Sequence, residues 1–141
     1  MRAVRDERGN AVVEFTLFAI VAIIPMAWAA MSLQQLVAVH QTVHTAAAES
    51  LRAYLTAPSQ EAAGRRADVA AGLLLAEQPS LDGYDVQVTC DKPRCLSPGA
   101  AVRVTVTARA HLPQIPVLGL QPSLHTQAEQ YGVVDAYIAP Q

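Results

Sequence analysis

Phe15 to Leu33 reads FTLFAIVAIIPMAWAAMSL, 19 residues without a charged side chain. As an α-helix rising about 1.5 Å per residue, this stretch spans roughly 28 Å, close to the ~30 Å hydrocarbon core of a bilayer. Ala11, Val12 and Val13 extend the apolar run toward the N-terminus, interrupted by Glu14. Buried helices of soluble proteins seldom run so far without a polar face, so the stretch predicts a transmembrane helix. Arg2, Arg5 and Arg8 precede it, and no Lys or Arg follows until Arg52. Basic flanks stay in the cytoplasm, which predicts a single pass with the N-terminus inside and everything beyond Leu33 outside.

The remaining arithmetic narrows the class. The chain has 141 residues, 52% hydrophobic and 16% charged, with a formal net charge of -2. That length allows one small domain, or one domain plus an appendage. With 10 Lys and Arg against 12 Asp and Glu, a broadly basic nucleic-acid binder is excluded. The apolar excess excludes an intrinsically disordered chain. A secretory signal peptide competes with a permanent anchor, because Ala27-Trp28-Ala29 has the small-x-small pattern that signal peptidase cuts after. Against it stand an apolar run longer than the usual h-region and a charge, Glu14, near its start.

A carboxylate inside an apolar segment needs a reason. Glu14 lies one turn into the run, so snorkelling toward headgroups is one reading. Its neighbours give a second. Arg8-Gly9-Asn10-Ala11-Val12-Val13-Glu14-Phe15 is a basic leader ending in Gly, then Glu five residues on, an aromatic residue and the hydrophobic run.

In these residues the chain resembles the type IV prepilin family, and more closely the TadE-like minor pseudopilins of tight-adherence (Tad) pili. The resemblance covers about residues 5–55 and is architectural beyond them. It implies cleavage by a prepilin peptidase at Gly9–Asn10, on the cytoplasmic side, with Asn10 becoming the first residue of the mature chain. It also implies other pilin or pseudopilin subunits and a membrane assembly platform as partners, with the lipid bilayer holding the chain until assembly. The chemistry of the motif is coherent. Glycine before the cut removes Cβ and permits unusual backbone angles. Cleavage exposes an α-amine that is cationic near neutral pH, and a neighbouring subunit's Glu14 is placed to pair with it. Removing one partner of such a buried pair costs about 3–5 kcal/mol, enough to enforce subunit register. Phe15 opens the hydrophobic face. Pro25, in mid-helix, removes an i→i−4 hydrogen bond and kinks or loosens the helix. Pilins carry a proline in this region that allows local melting, although transmembrane helices also simply tolerate proline.

Beyond Leu33 the helical signal continues. Leu36, Val39, Val43, Ala47, Leu51 and Tyr54 form one apolar stripe, with Gln34, Gln41, Thr45, Glu49 and Arg52 on other faces. The first stop is Ala57-Pro58-Ser59. This predicts one helix from about Ala11 to Thr56, its first half in lipid and its second half on a head. Ser59 reads as the N-cap of a second helix reaching about Glu77, with Glu61 in its first turn. Ala62, Val69, Leu73 and Leu74 are its apolar residues, and Arg65, Arg66 and Asp68 face solvent. Gln78-Pro79-Ser80 and Asp82-Gly83 are turn chemistry. Alternation from Tyr84 to Cys90 and from Val102 to His111 predicts an antiparallel pair with a long loop. Leu112 to Pro122 reads as an irregular apolar loop, Leu124 to Tyr131 as a third strand, and Val133 to Ile138 as a short final one. The fold class is α+β, with a long N-terminal helix, a second helix and a small antiparallel sheet of about three strands. The organisation is a leader at 1–9, a transmembrane helix at 10–33, its extracytoplasmic continuation at 34–57, and a head at 58–141.

Cys90 and Cys95 enclose Asp91-Lys92-Pro93-Arg94, and an extracytoplasmic head predicts a disulfide between them. His40 and His44 stand one helical turn apart, a spacing that can hold Zn²⁺. Gln41 occupies the place of the H-E-x-x-H glutamate, and His111 and His125 are too distant in sequence to be assigned as ligands, so a polar helix face is expected and no metal. No G-x-S-x-G, P-loop or dinucleotide glycine fingerprint is present, and no serine is ordered against a histidine base. The expectation is a protein without enzymatic activity or a cofactor. A membrane-anchored or secreted surface protein unrelated to pili is the alternative.

Overall fold

A computed structural model describes residues 8–115 and 118–135, with side chains from Ala11 onward. Helix α1 (Arg8–Leu55) is unbroken over 48 residues, as the missing Gly and Pro stops between Pro25 and Ala57 require. It passes through Pro25 as continuous helix, where the Val21 carbonyl lacks its usual donor. Thr16 and Ser32 donate their hydroxyls to the carbonyls four residues back, Val12 and Trp28, both at 2.8 Å. The polar hydroxyls of the apolar half are thereby satisfied within the helix.

Helix α2 (Gln60–Leu75) is capped by Ser59, whose extended backbone (φ -150°, ψ 158°) lets its Oγ accept from the Ala62 N–H. Its buried face is Ala63, Ala67, Ala71 and Leu75, one residue per turn. Of the larger apolar residues, Val69 is 59% and Leu73 69% exposed while Leu74 packs against the core, and the helix ends at Leu75 rather than Glu77. Alanines face α1 because small side chains let two helices approach closely. At that contact the buried Ser50 hydroxyl donates to the Ala67 carbonyl at 2.9 Å.

Strands β1 (Leu81–Cys90), β2 (Ala101–His111) and β3 (Ser123–Val133) form an antiparallel meander in the order β1-β2-β3. Val86 pairs with Val106 and Val106 with Ala128, so the inward side chains stay in register across the sheet. Val102, Val104, Val106, Ala108 and Ala110 are buried, as their alternation predicts. They meet Val39, Val43, Ala46, Ala47, Leu51 and Tyr54 of α1 in one core. Leu36, included in the predicted stripe, is 38% exposed and lies outside that core. Asp82-Gly83 is not a turn. It falls inside β1, where the pairing slips between Leu81 and Gly83, and the turn is closed earlier by the Leu81 N–H on the Gln78 carbonyl. Past β3, the Val134 N–H donates to Ala100 O, and the Val134 carbonyl accepts from the Gly99 N–H. Of the expected final strand, Val133 is the end of β3, Val134 and Asp135 are not in a strand, and residues 136–138 lie outside the described residues.

Because Gln35 of α1 bonds to His111 at the end of β2, while Gly132, opposite Val102, faces Leu51 and Leu55, β2 runs antiparallel to α1. One end of the sheet is therefore level with the apolar half of the helix, and the other end carries Cys90 and Cys95.

Candidate functional site

The motif residues all lie on the first turns of α1. Gly9 and Asn10 are placed in its first turn, where backbone N–H groups have no intrahelical acceptor. Glu14 and Phe15 follow on the exposed helix surface, Phe15 at 73% exposure. Among the described residues Glu14 has no hydrogen-bonding or ionic partner. Val12, Val13, Leu17, Phe18, Val21 and Met26 are each more than 60% exposed. None of the most apolar 18-residue window is buried against the rest of the chain. This half of α1 is long and apolar enough to cross a membrane. A lone helix with a bare apolar surface and a carboxylate near its start can partition into lipid and accept a cation from another chain.

The other predicted sites are in the head. Cys90 and Cys95 form a disulfide, with Cα atoms 5.4 Å apart. The loop it staples is further tied by Lys92 Nζ donating to Pro98 O at 2.9 Å and the Ala101 N–H donating to Asp91 Oδ1 at 2.8 Å. His40 and His44 stack edge to face at 4.5 Å between ring centroids. Among the described residues no group of three or more His, Cys, Asp or Glu is arranged to hold a metal ion. His111 Nε2 is paired with Asp82. On the outer sheet face, Arg103 lies 4.7 Å over the Tyr131 ring and 4.0 Å from Glu129. Tyr131 donates its hydroxyl to Glu129 at 2.7 Å, and this bond holds the phenol pKa above 10.0.

One contact has no signal in the sequence pattern. The Trp28 indole N–H donates to the carbonyls of Pro113 and Gln114, each at 3.1 Å, joining the predicted membrane segment to a loop 85 residues away. Gln35 Nε2 donates to His111 O at 2.8 Å one end of the loop earlier. The uncharged, proline-rich run Leu112 to Pro122 marks the loop, but nothing in it names α1 as its partner. No family model, no curated protein and no solved structure matches this chain.

Proposed function

We propose that this chain is a single-pass membrane protein of the prepilin type, with its N-terminus in the cytoplasm and its α+β head outside, acting as a minor pseudopilin in assembly of a Tad-type pilus. Its role is to add a subunit or contact to a filament and not to catalyse a reaction. The observation that carries the reading is the first half of α1. There a bare apolar helix surface holds a carboxylate five residues after a glycine that ends a basic leader, and the same helix continues without a break into the core of the head. The partners that follow are a prepilin peptidase, other pilin-like subunits and the assembly platform.

The Trp28 contact weighs against secretion with cleavage after Ala29, because that cut would remove the side chain on which the loop after β2 is hung. The test is the N-terminus of the membrane-purified protein. A start at Asn10 is expected. A start at Met1 leaves only a plain anchor, and a start at Ala30 makes the protein secreted; either removes the pseudopilin reading.

A further inference from the structure

Two hydrogen bonds give the loop between β2 and β3 a position along α1. His111 O is held by Gln35, and Gln114 O by Trp28, seven residues nearer the helix start. At about 1.5 Å per residue the loop therefore descends roughly 10 Å along α1, toward the apolar half. The chain then turns. Ile115 N–H donates to Leu120 O at 2.7 Å, Gly119 N–H to Ile115 O at 3.1 Å, and Gln114 Nε2 to Gly119 O at 2.9 Å. Gly119, at φ 66°, supplies the left-handed residue this turn needs. Outside the turn stand Leu118 and Leu120, 66% and 61% exposed. From Arg109 to Glu129 the sequence has no Asp, Glu, Lys or Arg between them.

We propose that this loop is a second membrane contact, with Leu118 and Leu120 seated in the interfacial layer of the outer leaflet beside Trp28. The inference rests on the membrane-spanning reading of α1. Trp28 lies about 26 Å along the helix from Ala11, which is where an outer interface falls when the apolar run starts at the inner one. Tryptophan prefers that boundary because its ring is apolar and its N–H needs an acceptor. Here the acceptors come from the loop, so the loop is held at the same depth. The hydrogen bonds among Gln114, Ile115, Gly119 and Leu120 satisfy part of the loop's backbone, and its side chains carry no charge, which lowers the cost of entering a poorly hydrated layer. The single helix is thereby given a lateral support that fixes the head's tilt on the bilayer.

The test places a nitroxide on Leu118→Cys in the full chain reconstituted into phosphatidylcholine nanodiscs, with the native cysteines kept as their disulfide. The same label at Val21→Cys marks the lipid interior, and at Gln87→Cys the aqueous sheet face. Relaxation by oxygen against relaxation by a water-soluble nickel chelate ranks the three depths. The Leu118 label is expected between the two references, and an independent label at Leu120→Cys should repeat it. If Val21 reads as lipid while both loop labels read as water, the loop contact is overturned and the membrane reading stands. If Val21 itself reads as water, both fall. Loop labels shielded from both reagents would show a protein neighbour there, a second copy or another subunit, and would overturn the lipid contact. Trp28 is the sole tryptophan, so an unchanged emission maximum in each labelled protein certifies that the loop is still docked.

Discussion

At the middle of the contact between α1 and α2 sits a hydroxyl. Ser50 is fully buried and donates to a carbonyl of the other helix, Ala67 O. That carbonyl belongs to a helix interior and has its own backbone donor, so removing the hydroxyl orphans no group. Ser50→Ala is therefore expected to destabilise the head by about 1 kcal/mol, measurable as a shifted urea midpoint with an unchanged slope. Tyr54, 4% exposed, is different in kind. Burial raises its phenol pKa above 10.0, because the phenolate would be desolvated. A raised folded-state value means that the folded form holds the proton more tightly than the unfolded one. Its contribution is fully present below pH 10.0 and is lost as pH climbs through the folded value. Melting temperatures should fall above pH 10.0 in the native chain and fall less in Tyr54→Phe; parallel profiles would remove Tyr54 as the cause.

At the scale of elements, what could be read in advance followed the physics each pattern reports. β2 was legible because Val102, Val104 and Val106 alternate with Arg103, Thr105 and Thr107, and a strand with one wet face must alternate. The capped start of α2 was legible at Ser59, but its buried face was not. Side-chain hydrophobicity ranks Val69 and Leu73 above alanine, whereas close helix packing selects for smallness, and Ala63, Ala67 and Ala71 won. Two substitutions separate these criteria. Ala67→Leu should cost about 1–3 kcal/mol by overpacking the contact with α1, whereas Val69→Leu should stay within about 0.5 kcal/mol. Equal effects would mean that the face is wrongly drawn. Asp82-Gly83 misled because turn residues also serve where a strand slips register. The proposed motif around Gly9 and Glu14 is contiguous in sequence, whereas the Trp28 contact joins positions 85 residues apart and leaves no local periodicity. The disulfide was expected from the two cysteines' short spacing together with the expectation of an extracytoplasmic head, and the bond is present. It closes a short loop at the end of the β1–β2 pair, so replacing both Cys90 and Cys95 with Ser should lower stability by about 2 kcal/mol in denaturant titration, leaving β2–β3 paired.

For the molecule as a whole, α1 belongs to two environments, and the division falls within one helix. Val39 to Tyr54 are part of the same core as β2 and α2, while the surface before Trp28 is bare. The head is therefore not separable just after α1 ends at Leu55, but near Gln34, ahead of Val39, where the core begins. A chain starting at Gln34 keeps every buried residue of the core. It should remain in solution without detergent as a folded α+β protein, by circular dichroism and size exclusion. A chain starting at Pro58 lacks Val39, Val43, Ala46, Ala47, Leu51 and Tyr54, leaving the inner face of the sheet and the alanine face of α2 uncovered. Exposed strands with an apolar face pair with one another, so this shorter chain is expected to aggregate. If it folded as well as the longer one, the second half of α1 would be an appendage and not part of the core. On the proposed pilus reading, α1 joins anchor and core without a linker, so a pull on the anchor would reach the head through the helix itself, and the position of the truncation boundary tests that coupling.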